Sequence, residues 1–234
     1  MSAPAHARPA AQTVGVITGL LTEAGLLPAN GPGIYVSAGI ASNAYGGAVQ
    51  LASAGAGGLI SFGIAGGLDP RLAPGTLVLA CAVVAPDGTR YECNERWRRL
   101  VADEARGRIQ CADGIIAGRD TPVLGADDKA QLYIETGAAA VDMESHGTAR
   151  AADEANIPFL AVRAIADPAR RSVPDFALRG VDDRGRTRAM PVLAAALTRP
   201  WTWATLMGLA RDHAAAMATL RKAGKLGSLF ALPG

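Results

Sequence analysis

Short apolar runs alternate with small-residue and polar stretches along most of this chain. Val14–Thr18, Gly33–Ser37, Gly58–Phe62, Leu77–Ala85 and Gly114–Ala117 read as strands, each bounded by Gly, Pro or polar residues. Ser42–Ala54 and Trp97–Arg106 read as helices. The clearest unit spans 138–167. Ala138–Val141 predicts a strand, Met143–Ala155 a helix ended by Asn156-Ile157-Pro158, and Phe159–Ala166 a second strand. A strand–helix–strand unit predicts two parallel strands. Glu144 and Asp167, just past the strand ends, are then expected at one sheet edge, where open α/β sheets bind ligands. Two carboxylates there suit a reaction needing an acid and an anion that holds hydroxyls.

The pattern changes after Asp167. Residues 168–191 are polar and arginine-rich and read as a loop or as a hairpin turning at Asp183–Gly185. Val192–Leu197 and Thr202–Ala223 read as helices. In the second, Trp203, Leu206, Met207, Leu209, Ala210, His213 and Met217 recur near a helical period. The expected architecture is a single three-layer α/β/α domain over 14–234 with a mostly parallel, mixed central sheet. Residues 1–13, rich in Ala and Pro, are expected to be a disordered tail.

Composition narrows the function. Hydrophobic residues make up 50% and charged residues 19%, a folded composition. A net charge of +2 and 5% aromatics argue against a nucleic-acid partner. Cys81, Cys93 and Cys111 have neither C-x-x-C spacing nor a nearby zinc pattern, so reduced thiols, no metal and a cytoplasmic location are expected. No apolar run approaches the ~20 residues of a spanning helix.

Three motifs add chemistry: Val141-Asp142-Met143-Glu144-Ser145, Val162-Arg163-Ala164-Ile165-Ala166-Asp167, and Gly63-Ile64-Ala65-Gly66-Gly67-Leu68 followed by Leu72-Ala73-Pro74-Gly75-Thr76-Leu77-Val78. In order and spacing they resemble the ribose, base-site and glycine motifs of the nucleoside phosphorylase / nucleosidase superfamily, over about residues 14–167. The paired acid motifs are the specific part; glycine runs open many turns. The narrower likeness is to the hopanoid-associated phosphorylases, or adenosylhopane nucleosidases, carried by Ile60–Pro70, Asp142–His146 and Val173-Pro174-Asp175-Phe176.

The resemblance implies a nucleoside phosphorylase-like fold and cleavage of a purine N-glycosidic bond, with adenine leaving from a nucleoside that carries a hopanoid tail. It implies Asp167 as the acid facing N7 of the base, Glu144 as acceptor for the ribose diol and Met143 packed on the sugar. Val141, Asp142, Thr121 and Val123 are expected around the base, with Arg163 supporting the acids. Gly19, Gly39, Gly63 and Ile64 mark the nucleophile or phosphate region. No cofactor is implied. Phosphate and water both stand as co-reactants, because the position of the water-activating Glu of hydrolytic members falls on Ala24, with Glu23 one residue away. Phosphate would draw on backbone N–H groups at Gly19, Gly39 and Gly63. A homodimer or larger homo-oligomer is expected, and a lipid substrate would bring peripheral contact with the inner face of the membrane. Trp201, Trp203, Leu206 and Met207 are expected to supply apolar surface for the tail; the arginines of 170–188 read as a solvated face, with a clamp for phosphate or anionic headgroups as the lesser reading. Two alternatives stay open: a nucleosidase for methylthioadenosine, adenosylhomocysteine or a similar small nucleoside, and a binding protein without turnover.

Overall fold

The computed structural model describes residues 13–28, 33–37, 41–174 and 203–233. The strands are β1 (Val14–Thr18), β2 (Gly33–Val36), β3 (Gly58–Gly67), β4 (Leu77–Val84), β5 (Arg90–Glu92), β6 (Cys111–Gly118), β7 (Ala140–Asp142) and β8 (Phe159–Asp167). The helices are α1 (Leu21–Ala24), α2 (Ala41–Ser53), α3 (Glu95–Ala105), α4 (Ala126–Thr136), α5 (Ser145–Glu154) and, after the undescribed segment, α6 (Trp203–Ala223). The tail over 1–12, the predicted turn at 183–185, the helix over 192–197 and Gly39 lie outside the described residues.

All the strands join one mixed sheet in the order β2-β1-β3-β7-β6-β4-β5, and β8 pairs with both β3 and β4. So β3, β7, β6, β4 and β8 close on themselves, and β1 and β2 extend the sheet from β3. β1, β2, β3 and β8 run one way; β4, β6 and β7 run the other.

Helices cover two faces of this sheet, because its strands are apolar on both sides. On one face Trp97 and Val101 of α3 and Ala216 and Leu220 of α6 pack on Val16, Phe62, Leu79 and Val162. On the other, Ala44 and Ala48 of α2 and Ala149 and Ala152 of α5 meet Ile17, Leu59, Val78 and Ile165. The small residues let α2 and α5 pack on each other as well as on the sheet. Among the described residues no helix is long and apolar enough to cross a membrane.

The strands flanking α5 correct one expectation. β7 pairs antiparallel with β3, whereas β8 pairs parallel with it, so β7 and β8 run in opposite directions. A three-residue strand carries no local signal of its pairing direction, and β7 is held by β3 on one side and β6 on the other. After α5 the chain turns at Asn156, which has φ 52°, and Pro158 delivers its carbonyl to Leu59 N. The two acidic ends still meet, by another route. Val141 and Asp167 both flank Gly66, near the end of β3.

Candidate active site

A cavity of about 250 Å³ opens at the end of β3. Of the residues expected at the site, Gly19, Ile64, Thr121, Val123, Val141, Asp142, Met143, Glu144 and Asp167 line it, together with Leu20, Glu23, Ala65, Gly66, Pro122, Leu124 and Val173. Among the described residues no aromatic ring lines it.

Glu23 is the residue that the sequence placed wrongly. It is 1% exposed, and its carboxylate reaches the cavity while Ala24 does not line it. The amides of Gly19 and Leu20 each donate to Oε2 at 2.9 Å, and that of Ile64 donates to Oε1 at 2.9 Å. A carboxylate has about four lone-pair sites, so three such bonds leave one on Oε1 unused. Burial pushes the carboxyl above its usual range; Arg163 and the three amides oppose that. The glycine positions follow from this packing. A methyl on Gly63 would sit 2.6 Å from Arg163 Nη1 and 2.8 Å from both Glu23 oxygens. One on Gly19 would sit 2.8 Å from Glu144 Oε1.

Two of the glycines expected in the nucleophile or phosphate region take part in these contacts, and Gly39 lies outside the described residues. The Gly19 amide is already bonded to Glu23, and Gly63 makes room for a carboxylate and a guanidinium.

Arg163, fully buried on β8, collects the acids on this side. Its Nε lies 2.5 Å from Asp142 Oδ2, and its Nη2 lies 3.2 Å from Glu144 Oε2 and donates to Ser61 Oγ. Ser145 donates its hydroxyl to Asp142 Oδ2 and its backbone N–H to Oδ1 at 3.2 Å. Both Asp142 oxygens are therefore occupied. Asp142 lines the cavity, and its carboxylate belongs to the Arg163 network. Glu144 is the residue before α5, and its carbonyl accepts from Thr148 Oγ1 at 2.9 Å. Burial, opposed by Arg163 and reinforced by Asp142 and Glu23, pushes the Glu144 carboxyl up to about 7.

Asp167 ends β8 on the opposite side of Gly66. Its Oδ2 accepts from the ammonium of Lys129, a fully buried residue on α4 that also donates to the Arg171 carbonyl at 2.9 Å. Burial raises the Asp167 carboxyl and Lys129 pulls it back. Lys129 was missed because α4 was missed, yet its inward stripe was readable. Lys129, Leu132, Tyr133 and Thr136 recur at three, four and seven residues, and the first two are buried.

His146 bonds through Nε2 to Asp120 Oδ1 at 3.2 Å and does not line the cavity. The three cysteines are free.

A family model described as the phosphorylase superfamily matches residues 26–198. The chain belongs to this superfamily. Membership makes the protein an enzyme of nucleoside glycosidic bonds. Solved structures of this fold bear out the architecture. A 5'-methylthioadenosine/S-adenosylhomocysteine nucleosidase from Neisseria meningitidis, in complex with methylthio-immucillin-A, superposes with a TM-score of 0.67 at 18% identity, covering 91% of this chain and 97% of that one. An S-adenosylhomocysteine nucleosidase from Streptococcus pyogenes gives 0.63 at 22% identity, over 69% and 86%. Futalosine hydrolase from Helicobacter pylori gives 0.61 at 19% identity, over 67% and 88%. No curated protein sequence matches the chain.

Proposed function

We propose that this phosphorylase-superfamily enzyme hydrolyses the N-glycosidic bond of a purine nucleoside. The observation that carries the choice of water is Glu23: a buried, cavity-lining carboxylate with three backbone donors and, among the described residues, one unused lone pair. A water that donates to Oε1 is held as a nucleophile, and Glu23 takes its proton as it attacks C1′. Glu144 accepts from the 2′- and 3′-hydroxyls through Oε1, the oxygen turned away from Arg163. That contact favours the positive charge growing on the ribose. As the C1′–N9 bond breaks, its electrons pass into the base and Asp167 protonates N7.

The finer reading is adenosylhopane, with adenine released and ribosylhopane left. Support comes from the motif likeness and from the cavity. At about 250 Å³ it lies below the ~300–1,000 Å³ of most ligand pockets. A pentacyclic tail has to lie outside it. Leu21, 43% exposed beside the cavity-lining Leu20, and Met207, 69% exposed on α6, offer apolar surface. Trp201 and the side chain of Trp203 lie outside the described residues. The same small cavity suits a second reading, a compact 5′-thio nucleoside of the kind named for the Neisseria meningitidis enzyme.

Competition decides between them. Purified protein is given adenosylhopane in vesicles together with methylthioadenosine, and both products are followed by mass spectrometry. Preferential cleavage of the lipid nucleoside supports the first reading. Efficient turnover of methylthioadenosine with the lipid untouched supports the second.

A further inference from the structure

The buried cations divide the cavity into two halves. Arg163 faces Asp142, Glu144 and Glu23, on the water and ribose side. Lys129 faces Asp167, on the leaving-group side. Lys129 does not line the cavity; it sits behind Asp167 with its side chain 0% exposed and its ammonium shared between Asp167 Oδ2 and the Arg171 carbonyl. A buried ammonium is costly unless paired, so this contact is held firmly. Among the described residues no hydrogen bond is made to Asp167 Oδ1.

Building on the N-glycosidic reading, we infer that Lys129 is a positioning residue for the leaving-group acid: it pins Oδ2 and leaves Oδ1 to face N7 of the base. Three charged groups face Asp167 from the packed elements. Lys129 comes from α4, Arg171 from the segment after β8, and Asp212 from α6. Arg171 Nε and Asp212 Oδ2 lie 2.9 Å apart and offset each other, which leaves Lys129 as the cation governing the acid. In the reaction the proton on Oδ1 moves to N7 while the C1′–N9 electrons enter the base. Lys129 keeps its own protons, and its bond to Oδ2 strengthens as the carboxylate forms.

The test compares the full-length wild type with Lys129→Met and Lys129→Arg. Carbon NMR follows the Asp167 carboxyl through a pH titration of the free protein. Removing an opposite charge at this range is expected to raise the titration by about one pH unit or more, and Lys129→Arg to restore it. In purine-release assays the alkaline limb of kcat moves to higher pH in Lys129→Met. The plateau falls about 10-fold or more because the acid is weaker and less well held. A merely structural role would lower the plateau without moving the limb. If Lys129→Met does not fold, Lys129→Gln, which keeps a donor and loses the charge, takes its place. If the wild type releases no purine, the hydrolase reading fails, and the NMR titration still decides the role of Lys129. An Asp167 titration unmoved by loss of the charge overturns the inference.

Discussion

Replacing Glu23 by Gln separates chemistry from architecture. Gln keeps the size of the side chain and exchanges one oxygen for an NH2 group. With that group at the Oε2 position, the amides of Gly19 and Leu20 both lose their acceptor; at Oε1, only Ile64 does. The side chain therefore settles with its nitrogen toward Ile64, leaving one amide unpaired. That costs about 1–3 kcal/mol. Removal of a charge held in a fully buried place offsets part of it. The net loss of stability is small. The kinetic loss is not, because the one position that held water as an acceptor is now a donor. Loss of a positioned base costs ~10²–10⁴-fold in rate, equivalent to about 3–5 kcal/mol of barrier. The assay pairs purine release with calorimetric unfolding and with nucleoside affinity. The expected variant is folded, binds nucleoside and turns over very slowly. A folded Glu23→Gln protein with near wild-type kcat refutes the assignment of Glu23 as the base.

Other outcomes follow from the same geometry. Asp167→Asn is expected to keep nucleoside binding and to lose ~10²–10⁴-fold in turnover, since an amide cannot protonate the departing base; purine release by the folded variant measures this. Because burial lifts Glu144 from 4.5 to about 7, the folded state holds its proton more tightly than the unfolded chain. Stability therefore falls as pH rises from about 4.5 to about 7, on the order of 3 kcal/mol for this group, and is flat above. Urea unfolding across that range checks it, with a shallower slope expected in Glu144→Gln and an equal slope contradicting the reasoning.

Much of the site was legible because strand ends and acidic motifs are local signals. Glu144, Asp167 and Arg163 lie in or beside apolar runs that read as strands, and the structure brings the two acids to one cavity with Arg163 paired to Glu144. The direction of β7 was not legible, because a three-residue strand carries no signal telling parallel from antiparallel pairing. Glu23 was misplaced for a related reason. α1 is a single turn of four residues, too short for a periodic pattern to fix which side chain faces inward. The Glu23 position is settled by amides of Gly19, Leu20 and Ile64, and the last lies on a strand distant in sequence. Lys129 was hidden differently. It lies on α4, a helix absent from the sequence reading, and its buried ammonium pairs with an acid 38 residues away.

The central claim is that water, activated by Glu23, is the nucleophile. Purine release in heavy-oxygen water, with phosphate rigorously removed, tests it most directly. The account predicts full activity without phosphate and one solvent oxygen at C1′ of the sugar product. Activity that appears only on adding phosphate, with a sugar 1-phosphate as product, would contradict it.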